Sequence, residues 1–124
     1  MPLKYWLQMG LKKMKRGEIY FANLDPTIGS EIRKKRPVLI VSNNANNKAA
    51  STITIVPITS NIKKIYSFET LLEMKDSGLP KHSKAQCNQI RTISKMRIES
   101  RRVGFVSNTA MSDINSAIKL HLDF

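Results

Sequence analysis

Apolar positions along the chain follow a two-residue alternation through most of its length and a three-and-four spacing only near the end. Residues 18–24 (EIYFANL) alternate and are rich in β-formers, 37–42 (PVLIVS) are continuously apolar, and 51–59 (STITIVPIT) alternate with β-branched side chains. Two further segments, 66–72 (YSFETLL) and 84–93 (KAQCNQIRTI), read as strands of the same kind. Residues that break a ladder separate them: Asp25-Pro26, the Asn-rich run 43–47, and Ser77-Gly78-Leu79-Pro80. Ala110, Met111, Ile114, Ala117, Ile118 and Leu122 then recur at helical spacing behind Ser107, a candidate N-cap. Short strands at close spacing and one terminal helix predict a mainly β fold, a small, partly open barrel with a C-terminal helix packed on it.

At 124 residues the chain has room for one core, and no repeat or low-complexity tract divides it. No run approaches the roughly 18 consecutive apolar residues of a membrane span, so a soluble protein without a membrane partner is expected. Residues 1–13 carry lysines around a broken apolar run and lack the apolar stretch of a signal peptide; they read as an N-terminal extension to a domain at 14–124. The single cysteine, Cys87, rules out an internal disulfide and a multi-cysteine zinc site, and it suits a reducing cytoplasm. Charge changes the picture more. Lys and Arg number 21 against 9 Asp and Glu, a net +12 that favours polyanions, with nucleic acid leading and a membrane surface or an acidic protein also open.

The cation run Arg33-Lys34-Lys35-Arg36 abuts Pro37 and the apolar strand after it. Such a run ordinarily reads as a solvated loop, but proline fixes its own φ and biases Arg36 toward an extended conformation, which would hold this guanidinium in place. Together the blocks KRGEIYFANLDPTIGSEIRKKRPVLIVSNN (15–44), TIVPITS (54–60) and QIRTISKMRI (89–98) resemble the MazF/PemK family, toxins of toxin–antitoxin pairs. The resemblance implies an SH3-like barrel of the CcdB/MazF/PemK type, a homodimer, and sequence-specific endoribonuclease activity on single-stranded RNA in the cytoplasm, opposed by a cognate acidic antitoxin. Its two catalytic positions fall on Arg36 and Thr59. No metal or other cofactor is implied, and the expected products are a 2′,3′-cyclic phosphate and a 5′-hydroxyl.

The chemistry is compatible with so few groups. In RNA the 2′-hydroxyl attacks the adjacent phosphate, so no nucleophile need come from the protein, and a guanidinium and a hydroxyl can meet the charge that grows on phosphate oxygens. A guanidinium does not deprotonate near neutral pH, so the base is unassigned; Glu31, matching the family's GSE acid, is either a contributor or a solvated loop charge. For RNA binding the candidates are Phe21, a base-stacking ring or a core residue; Ser30 in the loop 25–35; and Asn88 and Gln89 as readers of base edges. Arg91, Lys95 and Arg97 are phosphate contacts or surface charges, and the role of Lys63 and Lys64 is open. His82 and His121 read as structural, and Cys87 as a small core residue. Two other classes remain: a CcdB-like gyrase inhibitor that is no enzyme, and a barrel that holds RNA without cutting it.

Overall fold

Residues 37–42 lack alternation because the strand they form is covered on both faces. The structure, a computed structural model, describes residues 14–124; the predicted extension 1–13 lies outside the described residues. In chain order the elements are β1 (Glu18–Asn23), β2 (Lys35–Ile40), α1 (Asn44–Ala49), β3 (Thr52–Thr59), β4 (Glu69–Leu72), α2 (Met74–Ser77), β5 (Ser83–Gln86), β6 (Arg91–Ser94), β7 (Ile98–Phe105) and α3 (Asn108–Leu122). All seven strands join one antiparallel sheet in the order β4-β5-β3-β2-β1-β7, with β6 also paired to β3.

On one face Ile19, Leu39, Val56, Ile58, Leu72 and Cys87 pack beneath Ala110, Ile114 and Ala117 of α3. On the other, Tyr20, Val38, Ile40, Ile53, Ile55, Ile93 and Ile98 gather inside the curl of the sheet. The sheet is not closed: β6 and β7 do not pair with each other among the described residues. No helix there is long and apolar enough to cross a membrane.

The predicted strand 84–93 is two strands. Both pair with β3, but β5 meets Ile58 and Thr59 whereas β6 meets Thr52 to Ile55. Between them the register slips by three residues, the length of the 3₁₀ turn Cys87–Gln89 that absorbs the slip. Ser107 caps α3 as expected, accepting from the Ala110 N–H. Its hydroxyl also donates to Asp76 at 3.1 Å, tying α3 to α2. Three elements escaped the sequence reading. Strand β7 is edge-like and charged, α2 spans four residues, and α1 formed where a turn was expected because Asn43 caps it, accepting from Asn46 N–H at 2.8 Å.

Gly104 is where β7 touches α2. A Cβ there would stand 2.3 Å from the Ser77 carbonyl oxygen, which is backbone and has no side-chain freedom to yield. Gly104→Ala is therefore expected to destabilise the fold by about 1–3 kcal/mol, as overpacking does. Denaturant unfolding reads this directly, and an unshifted midpoint would contradict the contact.

Candidate active site

Strands β2 and β3 pair with Val38 opposite Pro57. Two residues further along, the same register sets Arg36 opposite Thr59, and the side-chain period of two puts both on the face of Val38 and Pro57. Thr59 also lies opposite Lys84 of β5. Arg36, Thr59 and Lys84 thus stand in a row across three strands, with Gln86 next along β5 on the same face. Joined by Ser30, Ile32, Asn61 and Gln89, they line a cleft of about 250 Å³.

Each of the two central side chains is held from behind. Arg36 donates through Nε to the Arg33 carbonyl at 2.7 Å, and among the described residues its guanidinium makes no other hydrogen bond. The planar fork is therefore oriented with its terminal N–H groups uncommitted. Thr59 Oγ1 accepts from the Asn61 N–H at 3.3 Å, which leaves its own hydrogen to donate into the cleft.

A second cleft of about 520 Å³ adjoins the first, sharing Ser30 and Gln89 and adding Ile28, Glu31, Asn88, Ile90 and Arg91. Of the candidate site residues, Ser30, Glu31, Asn88, Gln89 and Arg91 are thus brought together with Arg36 and Thr59. Phe21 is not. It lies opposite Pro37, which puts it on the other face of the sheet from Arg36, half-buried with Lys35 Nζ 5.9 Å from its ring centre.

Several of these side chains have duties in the chain itself. Gln89 clasps the loop between β1 and β2, accepting from Ile32 N–H at 3.2 Å and donating to the Ser30 carbonyl at 3.3 Å. Glu31 Oε1 accepts from the Ile28 N–H at 2.6 Å within that loop. Arg91 Nη1 donates to the Leu24 carbonyl and Arg97 Nη1 to those of Asn23 and Asp25, so both fasten the loop's base. Lys95 corrects the expectation of a phosphate contact: it is 2% exposed and its Nζ donates to the Asn47 carbonyl at 2.6 Å. Burial also lowers its pKa. His82 Nδ1 accepts from Met74 N–H, a structural role, and burial pushes the Cys87 thiol up to about 11, consistent with a core residue.

Sequence reasoning missed Lys84, Gln86 and Glu69. Lys84 Nζ donates to Glu69 Oε1 at 3.0 Å and to the Lys64 carbonyl at 2.8 Å, and both side chains of the pair are buried. Glu69 also accepts from Tyr66 N–H and from Gln86 Nε2. Burial alone would raise the Glu69 carboxyl, but the hydrogen bonds from Tyr66, Lys84 and Gln86 outweigh it and bring the pKa below the ordinary carboxylate value. Alternation within the segment 84–86 places Lys84 and Gln86 on one face; only the β3–β5 register shows that it is the face of Thr59.

Comparison with known proteins bears on this arrangement. Residues 15–122 match the family described as PemK-like, MazF-like toxin of type II toxin-antitoxin system. The chain is 44% identical over 115 residues to endoribonuclease MazF9 of Mycobacterium tuberculosis, covering 89% of this chain and 97% of that protein. Its fold resembles that of a MazF from Deinococcus radiodurans, with a TM-score of 0.77 at 20% identity, covering 89% of this chain and 96% of the other. An endoribonuclease from a mycobacterial species, in complex with its cognate antitoxin, gives a TM-score of 0.74 at 24% identity over 90% of this chain and 97% of its own.

Proposed function

Because the chain belongs to the PemK-like, MazF-like toxins of type II toxin–antitoxin systems, we propose that it cuts single-stranded RNA at specific sequences with Arg36 and Thr59 at the scissile phosphate. The single observation that carries the assignment is the cross-strand register that sets those two side chains opposite each other on the cleft face. Endoribonuclease action is the activity named for the chain's relatives, and it is favoured over a gyrase inhibitor or a non-cleaving RNA holder.

In the proposed reaction the 2′-oxygen forms a bond to phosphorus while the bond from phosphorus to the 5′-oxygen breaks. The 2′-hydroxyl gives up its proton and the departing 5′-oxygen takes one, leaving a 2′,3′-cyclic phosphate and a 5′-hydroxyl. Negative charge grows on the non-bridging oxygens as the fifth bond forms. Arg36 meets that charge with its uncommitted N–H groups and Thr59 with its hydroxyl, both already oriented before substrate arrives. The nucleophile belongs to the RNA, so this route requires no metal.

The same reading makes the protein a cytoplasmic homodimer whose basic surface is occupied by an acidic antitoxin segment in the neutralised state. The mycobacterial endoribonuclease with its cognate antitoxin supports that partner class.

Incubation of the purified chain with a long, weakly structured RNA in EDTA, with fragment ends mapped, tests the proposal. Discrete cuts bearing 5′-hydroxyl ends are expected, and Thr59→Val should slow them by roughly 10- to 100-fold through loss of one oriented donor. Intact RNA, from protein shown to be folded and free of antitoxin, would remove the enzyme reading.

A further inference from the structure

Two buried side-chain oxygens among the described residues have no hydrogen-bond partner: Gln86 Oε1 and Asn88 Oδ1. Both belong to residues of the site, Gln86 lining the cleft of Arg36 and Thr59 and Asn88 the adjoining one. Buried acceptors are nearly always paired, so two orphans within one short segment of β5 and its following turn call for a physical reason. Asn88 is already a candidate base reader; Gln86 is not.

Glu69 supplies the orientation. Gln86 Nε2 donates to Glu69 Oε2 at 3.4 Å, and a carboxylate on that side requires the amide's N–H₂ to face it. A flipped amide would set oxygen against oxygen. The carboxylate is itself fixed by Lys84 Nζ and the Tyr66 N–H, so the amide cannot turn without breaking a buried cluster. Gln86 is thereby left with an acceptor and no free choice of offering a donor.

We propose that Gln86 is a specificity-determining residue, whose Oε1 accepts a hydrogen bond from an N–H or O–H donor of the RNA seated at Arg36 and Thr59, with Glu69 as its positioning residue. The inference rests on the endoribonuclease reading. Ser30 and Ile32 of the β1–β2 loop line the same cleft, so a nucleotide placed there lies between that loop and Gln86. A fixed acceptor distinguishes nucleotides because base edges differ in what they present. Amino and imino N–H groups satisfy it, and a carbonyl or ring nitrogen lacking hydrogen leaves two acceptors facing each other. A ribose hydroxyl satisfies it as well, without base preference.

The test compares wild type with Gln86→Leu on a pool of randomised single-stranded RNA, reading cleavage positions and rates, followed by oligonucleotides of the preferred sequence carrying single 2′-deoxy substitutions. Gln86→Leu removes the unpaired buried acceptor and also the Nε2 donor to Glu69 Oε2, so its thermal midpoint is measured beside its cleavage and the comparison is made where it is folded; if it fails to fold, Gln86→Met replaces it. The expected result is relaxation of preference at one target position by roughly tenfold, the loss of one hydrogen bond that was otherwise unmade. If base preference is unchanged but one 2′-deoxy substitution slows wild type and not the variant, the donor is a ribose hydroxyl, and Gln86 binds the substrate without determining specificity, which overturns the assignment. Glu69→Gln, assayed where it is folded, should lose the same discrimination, whereas a general structural defect would slow cleavage of all targets alike. A folded Gln86→Leu with unchanged preference, rates and 2′-deoxy response would overturn the proposal while leaving the enzyme reading intact. Wild type that cuts nothing would overturn both.

Discussion

Arg36→Ala should yield a folded protein that still binds RNA but cleaves it slower by about 10³-fold or more, the range seen when a preorganised charge-stabilising group is removed. Folding should survive because Arg36 is partly exposed and its one hydrogen bond within the described chain goes to the Arg33 carbonyl at the strand's outer end. Binding should lose only one phosphate contact, lowering the salt slope by about 0.7 for a single strand. Arg36→Lys should recover little, since an ammonium cannot bond the Arg33 carbonyl through Nε and still present a planar fork to the phosphate. Single-turnover cleavage in EDTA beside equilibrium binding at several salt concentrations separates the terms. Equal losses in binding and cleavage would make Arg36 a phosphate anchor in a binding module, and the catalytic assignment would fall.

The largest expected effect on stability lies three strands away, on β4. Glu69→Leu leaves the buried Lys84 ammonium facing an apolar side chain with the Lys64 carbonyl as its remaining protein acceptor. Breaking a buried pair from one side costs about 3–5 kcal/mol, enough to remove much of a typical domain's 5–15 kcal/mol. The thermal midpoint should fall by on the order of 10 °C or more. The double variant Glu69→Leu/Lys84→Met removes both charges and should regain most of the loss, because well-packed apolar groups of similar volume replace such pairs at little cost. Single variants no less stable than wild type would show that the pair contributes nothing.

Acid should expose the same interaction. The Glu69 pKa is lower in the folded protein than its ordinary value of 4.5, so the folded state binds its proton less readily than the unfolded chain does. Its stabilisation is therefore fully present above about the unfolded value and is lost as pH falls through the lower, folded one. Denaturant unfolding between pH 7 and pH 3 should show this loss in wild type, and the double variant should lack that part of the acid sensitivity.

Legibility varied with how local each signal was. The strands at 18–24 and 51–59 and the terminal helix came through because each carries its own period, the strand at 37–42 because its apolar run is short and unbroken, and Ser107 was readable as a cap because its partner, Ala110 N–H, lies three residues away. Strand β7 was hidden: Glu99, Arg101 and Arg102 interrupt its apolar positions, and it pairs with β1, from which it is separated by most of the chain. The segment 84–93 looked like one strand because its residue types favour β throughout. What divides it is the mismatch between two stretches of β3, which no property of the segment records.

The candidate site divides along the same line. By itself the sequence determined that an arginine held by Pro37 precedes a buried strand, that Thr59 ends another, and that a glycine-containing loop with Ser30 and Glu31 lies between β1 and β2. Those are properties of neighbouring residues and of the short blocks that carry the family resemblance. The tertiary structure alone decided that Arg36 stands opposite Thr59, that Phe21 turns to the other face, that Lys95 is buried, and that Glu69 of β4 pairs beside β5 to fix Lys84 and Gln86. The burial of Lys95 depends on its bond to the Asn47 carbonyl, and the others on the register between paired strands. A slip of one residue in that register would turn every side chain to the opposite face, while leaving the local hydrophobic pattern of each strand unchanged.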